Sequence, residues 1–293
     1  MADRNVLITG TSTGIGAACV QRMAGSGWRV YAGVRREEDG ERLAADADAG
    51  AAGEVVPVLL DVVDRGHVDA ALARIRDEAG VLHGLVNNAG IGVGGPIELL
   101  TDEEWRRQFD VNFFSLVSLT REAMPLMEDV GGRFVHIGSI AGRVSQPALG
   151  PYAASKHAVE AFNWSLRGEL ARTSMNSSVV EPGEIKTAIW DKADDTIAGS
   201  EARIDAAGRR ARYGFLIQRQ RAFNVEGREK GIDPDRVAQA VEHALTASRP
   251  KARYLVGPDA KLIGLMARLP DRVLEPLLGL NGRRLERAGR KLV

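Results

Sequence analysis

Tyr152 and Lys156 lie four residues apart, so on a helix they share one face. A phenol beside a fixed ammonium is a proton-transfer pair. An unperturbed tyrosine titrates near ~10, so exchanging a proton around neutrality asks for about 4 kcal/mol of preferential phenolate stabilisation. A nearby positive charge favours the phenolate, and Lys156 is expected to lower the Tyr152 pKa in this way. Taken alone the pair would equally suit a solvated helix surface. A second chemical element is Gly10-Thr11-Ser12-Thr13-Gly14-Ile15-Gly16. Glycines between a strand and a helix let backbone N–H groups and the helix N-terminus face a phosphate. Gly10 would make the turn, Gly14 would admit a pyrophosphate and Gly16 would pack helix on strand. The same run satisfies G-x-S-x-G, the nucleophile turn of serine hydrolases, with Ser12 as nucleophile and His243 as the histidine downstream. That alternative sets the nucleophile on the first strand and leaves Tyr152 and Lys156 without a role.

Elements of two kinds must position these groups. Pro151 suits a first helical position, and Ala153 to Leu170 recurs apolar every three or four residues, as a packed helix does. Short β-type runs are expected at Asn5–Thr9, Arg29–Val34, Val55–Leu60, Gly84–Asn87, Arg133–Gly138, Ser177–Val180 and Arg253–Val256. Helical patterns fill the gaps at Ala17–Ala24, Arg36–Ala47 and Gly66–Glu78, and another follows Thr101, where Thr101-Asp102-Glu103-Glu104 has capping-box form. Asp233-Pro234 opens a further helix, running through Leu245. Strands alternating with helices indicate βαβ units: an α/β fold, with a doubly wound parallel sheet (Rossmann-type) and helices on both faces. Ala44 to Gly53 reads as a soft loop. From Glu184 to Gly231 the alternation lapses into charged and small residues with scattered aromatics, and the tail from Lys261 to Leu285 mixes apolar and basic residues. Breaks this mild argue for one domain over residues 1–293.

Composition narrows the function. The 293 residues are 44% hydrophobic with a formal net charge of +0, which gives no electrostatic case for nucleic acid. Cys19 is the only cysteine, so no intrachain disulfide forms and a reducing, cytoplasmic setting is expected. Met1-Ala2-Asp3-Arg4 leads at once into a strand and lacks a signal-peptide core. No run reaches the ~18 apolar residues of a spanning helix. His157 and Glu160 are spaced as a metal pair, but further ligands are missing at suitable spacing, and His67, His83, His136 and His243 are isolated. No metal is expected.

In order along the chain stand Thr9-Gly10-x-x-x-Gly14-Ile15-Gly16, Asn87-Asn88-Ala89-Gly90, Asn112, Ser139, Tyr152-x-x-x-Lys156 and Pro182-Gly183-x-x-x-Thr187. Over about residues 4–190 this resembles the short-chain dehydrogenase/reductase family in its compact single-domain form. The resemblance implies an NAD(P)(H)-dependent oxidoreductase. Gly10, Ser12, Thr13, Gly14, Ile15 and Gly16 would then cradle the pyrophosphate. Asp61 and Val62 would hold the adenine, with Asn88, Ala89 and Gly90 along the cofactor. Tyr152 would be the general acid/base, Lys156 would lower its pKa and bind the nicotinamide ribose, and Ser139 would bond the substrate oxygen. Asn112 would anchor a water leading from Lys156 to bulk. Pro182, Gly183, Ile185 and Thr187 would border the nicotinamide.

Sites for NAD place an acidic residue at the end of the second strand, and NADP sites use a basic one. Here Val34 occupies that place and Arg35 follows it, which favours NADP(H) over NAD(H). The insertion at about 184–231 falls where the family builds its substrate lid. The ending Arg253-Tyr254-Leu255-Val256-Gly257-Pro258-Asp259-Ala260 and the leucine-rich extension at about 258–293 resemble the hydroxysteroid and retinol dehydrogenase branch. That likeness implies a bulky hydrophobic secondary alcohol or ketone, steroid- or retinoid-like, and a homodimer or homotetramer. The apolar positions of the tail are expected to cover the core or a subunit contact, with docking on a membrane surface as the alternative. A non-catalytic dinucleotide sensor is the alternative function, which intact Ser139, Tyr152 and Lys156 argue against.

Overall fold

The computed structural model describes residues 4–48, 52–187 and 189–291. Seven strands form one parallel sheet: β1 Asn5–Ile8, β2 Arg29–Val34, β3 Glu54–Leu59, β4 Gly84–Asn87, β5 Arg133–Ile137, β6 Asn176–Pro182 and β7 Arg253–Val256. Their order is β3-β2-β1-β4-β5-β6-β7. The order reverses between β1 and β4, and the crevice beyond their carboxyl ends is where such sheets bind ligands. Helices α1 Gly14–Gly25, α2 Glu37–Asp48, α3 Arg65–Ala79, α4 Asp102–Phe109, α5 Ser115–Met127 and α6 Gly150–Glu169 connect the first six strands. Val6, Leu7 and Ile8 are fully buried because helices cover both faces of the sheet. On one face, Cys19, Val20 and Met23 of α1 pack against Val237 and Val241 of α9, Asp235–Thr246. On the other, Ile75, Leu119, Ala123 and Leu166 cover Leu7 and Leu85.

Thr101 caps α4 as its sequence form indicates, with reciprocal bonds to Glu104. Asp110–Phe114 is a π-helical turn between α4 and α5, a distortion that turns Asn112 inward. Ala44–Gly53 departs from the expected loop, since α2 continues to Asp48. Residues 49–51 of that loop lie outside the described residues, as do 1–3 at the start of the chain.

Residues 184–231 also depart from expectation. They form two long helices, α7 Ile189–Ala206 and α8 Arg210–Lys230, rather than irregular chain. Their apolar signal is thin: in α7, Trp190, Ile197 and Ile204 recur only every two turns. Helix-favouring Ala, Arg, Gln and Glu and many ion pairs carry the structure instead. A parallel bridge between Ile185 and Ile232 ties the two ends of this hairpin to each other. The tail is α10 Pro258–Met266 and α11 Asp271–Gly289, and α11 packs along α8.

Candidate functional site

The glycine turn follows β1 and is braced by the end of β4. Thr9 Oγ1 accepts hydrogen bonds from Asn88 N (3.0 Å) and Ala89 N (2.9 Å). Asn88 Nδ2 donates to Thr9 O and Gly10 O at 2.8 and 2.9 Å. Gly10 and Gly14 adopt φ of +67° and +63°, and a Cβ on Gly10 would come within 2.8 Å of Ala89 Cα. A Cβ on Gly16 would meet Gly10 O at 2.3 Å, so helix and turn close only around glycine. Thr13, the residue before α1, gives no side-chain cap, and the first turn holds no acidic residue. Its leading N–H groups are therefore open to an anion. A Cβ on Gly14 would meet Thr187 Cγ2 at 3.1 Å, which sets Thr187 against the turn. The residues present fit a dinucleotide pyrophosphate.

At the end of β2, Val34 is buried and Arg35 exposed. Arg36 and Arg42 both bind Asp39 and hold its carboxyl below its usual range. Arg42 also donates to Ser12 O at 3.0 Å, fastening the phosphate turn to α2. Sequence reading passed over Arg42, whose only signal is its place on α2 two turns beyond Arg35. Asp61 and Val62 follow β3 at the same edge, half-buried, and Asp61 Oδ1 accepts from Val63 N at 3.2 Å. Gly90 lies beside the Asn112 amide.

Ser139 follows β5 in an extended conformation (φ −169°), and its Oγ accepts from Ala141 N at 3.1 Å. Tyr152 sits in the first turn of α6, where a hydrogen bond from Ser139 favours its ionised form. Lys156 Nζ lies 5.8 Å from the Tyr152 ring centroid and donates to Ile137 O at 2.7 Å. The expected lowering of the Tyr152 pKa is not found. Loss of water around the phenol pushes it up, outweighing Ser139. Burial likewise lowers the Lys156 ammonium to about 8, opposed by the Glu160 carboxylate. Asn112 holds Ile91 N and O with its amide and reaches Ser155 Oγ at 3.3 Å. Ser155 Oγ in turn donates to Tyr152 O at 2.7 Å, so Asn112 braces the start of α6.

Behind Lys156 lies a charge cluster that sequence reading did not assemble. Glu160, one turn beyond Lys156, accepts from Arg253 at 3.0 and 2.6 Å. Arg253 also pairs with fully buried Glu181, which Arg143 grips from the other side. Glu160 Oε1 is buried without a partner among the described residues, and Glu181 stands nearby. Burial and that neighbouring charge raise the Glu160 carboxyl to about 7, although Arg253 opposes them. Gly142 lets the chain pass: a Cβ there would meet Lys156 O at 2.9 Å. The spacing of four between Lys156 and Glu160 was the available signal.

Pro182 ends β6, and Gly183 is pressed so closely on Asp259 that a Cβ would overlap its carboxylate. Asp259 accepts from Glu184 N at 2.7 Å, and Ile185 O accepts the Trp190 indole N–H at 2.8 Å. The hydrolase reading finds no matching geometry. His243 is paired with the Tyr254 hydroxyl at 2.9 Å, and among the described residues no hydrogen bond joins it to Ser12. His157 is engaged with Ala153 O and Glu160 with Arg253. No group of three or more His, Cys, Asp or Glu among the described residues is placed to hold a metal. No helix among them is long and apolar enough to cross a membrane.

Known proteins share this arrangement. The chain matches the short chain dehydrogenase family over residues 4–198. It is 34% identical over 287 residues to the NADPH-dependent 3-dehydrocapnine reductase of Ornithobacterium rhinotracheale, covering 94% of this chain and 95% of that protein. It is 34% identical over 288 residues to human retinol dehydrogenase 5, covering 93% and 87%. A short chain dehydrogenase/reductase of Burkholderia phymatum, solved in complex with NAD, superposes with a TM-score of 0.75 at 25% identity, covering 94% of this chain and 95% of that one. A glycine turn at the β1/β4 crevice, a Ser–Tyr–Lys group on the adjoining strand and helix, and relatives matched nearly end to end have one explanation: the chain belongs to the short-chain dehydrogenase/reductase family and is an NAD(P)-dependent oxidoreductase.

Proposed function

We propose that this chain is an NADP(H)-dependent oxidoreductase that interconverts a secondary alcohol and a ketone on a bulky hydrophobic substrate. The observation that carries the proposal is the contact of Ser139 with Tyr152 beside buried Lys156, at the edge where the glycine turn opens. A nicotinamide dinucleotide held by that turn supplies or accepts the hydride. Ser139 orients the substrate oxygen. Tyr152 gives that oxygen its proton during reduction and takes it back during oxidation. Lys156 holds positive charge at the phenol ring, and Asn112 and Ser155 fix the helix start that carries both. Gly10 to Gly16, Asp61, Val62, Asn88, Ala89 and Gly90 line the dinucleotide, with Pro182, Gly183, Ile185 and Thr187 across from them.

NADP(H) is favoured because buried Val34 offers no carboxylate to a ribose hydroxyl, while Arg35 is exposed and free to meet a 2′-phosphate. A relative described as NADPH-dependent supports the same choice. The likeness to a retinol dehydrogenase supports a hydrophobic substrate. Residues 184–231 act as its lid, and the enzyme works in the cytoplasm as a homodimer or homotetramer. The test follows absorbance at 340 nm with NADPH or NADH and a panel of steroid-, retinoid- and lipid-like ketones. Turnover of hydrophobic ketones with NADPH is expected. Cofactor binding without turnover across the panel would refute catalysis, and NADH preferred throughout would refute the cofactor assignment.

A further inference from the structure

We propose that α10 and α11 form a docking surface for an anionic phospholipid bilayer. Leu262, Leu265 and Leu269 in and just after α10, and Val273, Leu277 and Leu280 in α11, recur every three or four residues. Each is exposed, Leu265 and Leu280 at 63% and 57%. Such spacing puts Leu262 and Leu265 on one face of α10 and Val273, Leu277 and Leu280 on one face of α11, with Leu269 in the turn between the helices. The opposite face of α11 is the one that docks. Gly282 and Gly289 have no room for a Cβ against Arg219 and Gln218 of α8, and Leu285 is buried. Close seating through small residues on one side thus leaves the other side's leucines in water. Apolar side chains aligned this way are rare without a partner.

Charge identifies the partner. Residues 261–291 carry eight Lys or Arg against three Asp or Glu, in a chain whose formal net charge is +0. At ~100° per residue, Lys261 flanks the α10 leucines, and Arg272, Arg283 and Arg287 flank the α11 stripe on one side, with Arg268 in the turn between the helices. Leu280 continues into a shallow groove of about 310 Å³ lined by Arg283, Arg284, Arg287, Ala288 and Lys291. Arg284 is occupied by Glu226, but Arg283, Arg287 and Lys291 have no ion-pair partner among the described residues. Leucines beside a groove of unpaired cations match a bilayer, with acyl chains next to phosphate headgroups. A second copy of this surface would set the cations against one another.

The test is co-sedimentation of the full chain with vesicles of phosphatidylglycerol and phosphatidylcholine, and with phosphatidylcholine alone, at low and high salt. The mixed vesicles should bind at least about tenfold more protein than the neutral ones, with the excess lost at high salt. Arg283→Glu with Arg287→Glu should weaken that binding by about thirtyfold or more, and Leu265→Asp with Leu280→Asp should abolish it. Thermal melting should stay unchanged, because all four side chains are exposed. Failure to bind the mixed vesicles would overturn the proposal. Light scattering that shows the leucine variants splitting a larger assembly would overturn it too, assigning the stripe to contact between copies.

Discussion

The chain up to Pro182 and the α7–α8 hairpin that follows Glu184 hold their helices by different means. In the first region, strands such as Val6–Ile8 are fully buried, and the site loops are fixed by interior side chains: Thr9 to Asn88, Asn112 to Ile91 and Ser155. In the second, α7 and α8 share a small apolar cluster of Ile197, Ile204 and Ile217. Much of their remaining attachment is by partly exposed ion pairs, as Arg203–Glu104, Arg228–Asp194 and Arg284–Glu226. Buried bonds resist displacement and exposed pairs contribute little. Groups that must meet reacting atoms therefore sit where the backbone has least freedom. The hairpin of α7 and α8, proposed as the substrate lid, is held more by pairs that water screens.

That contrast can be broken by substitution. Glu181→Gln removes a fully buried carboxylate, leaving half-buried Arg143 without its partner and Arg253 with Glu160 alone, and should cost about 3 kcal/mol. In a chain of this size that lowers the melting temperature by roughly 10 °C, measurable by calorimetry. Arg35→Asp acts at the exposed edge of the rigid region. It should shift the NADPH-to-NADH ratio of kcat/KM by about ten- to a hundredfold without altering stability. Unchanged selectivity would remove Arg35 from the cofactor site.

A smaller effect follows from Glu160. Its folded-state pKa is raised from 4.5 to about 7, so the folded protein binds the proton more tightly than the unfolded chain. Its contribution is full below pH 4.5 and is lost as pH rises towards 7. Melting curves of Glu160→Gln should lack this part of the pH dependence, and parallel wild-type and variant curves would contradict it. The least effect is expected from Glu104→Gln, which removes the Arg203 pair at the cap and should cost under ~1 kcal/mol. A loss as large as that of Glu181→Gln would end the distinction between the two regions.

The same division governs what could be read from sequence. In the body, apolar period, capping and glycine placement act over short stretches, so β2, β4 and β7 fall where expected and Thr101 caps its helix. Both α7 and α8 were hidden because charge pairing, rather than an apolar stripe, makes them helices. The cluster behind Lys156 was hidden for another reason. Arg253 and Glu160 are 93 residues apart, Arg143 and Glu181 are 38 apart, and only the fold joins them. Tyr152 and Lys156 were found by spacing, yet the upward shift of the phenol depends on how much water the packed site excludes. No local pattern encodes that.

The central claim is that the Tyr152 phenol carries the proton. Tyr152→Phe removes one oxygen and keeps the ring against Lys156, so NADPH binding followed by fluorescence should stay within about threefold of wild type, while single-turnover ketone reduction falls by about 10²–10⁴. Retention of the wild-type reduction rate in Tyr152→Phe, with cofactor bound, would contradict it.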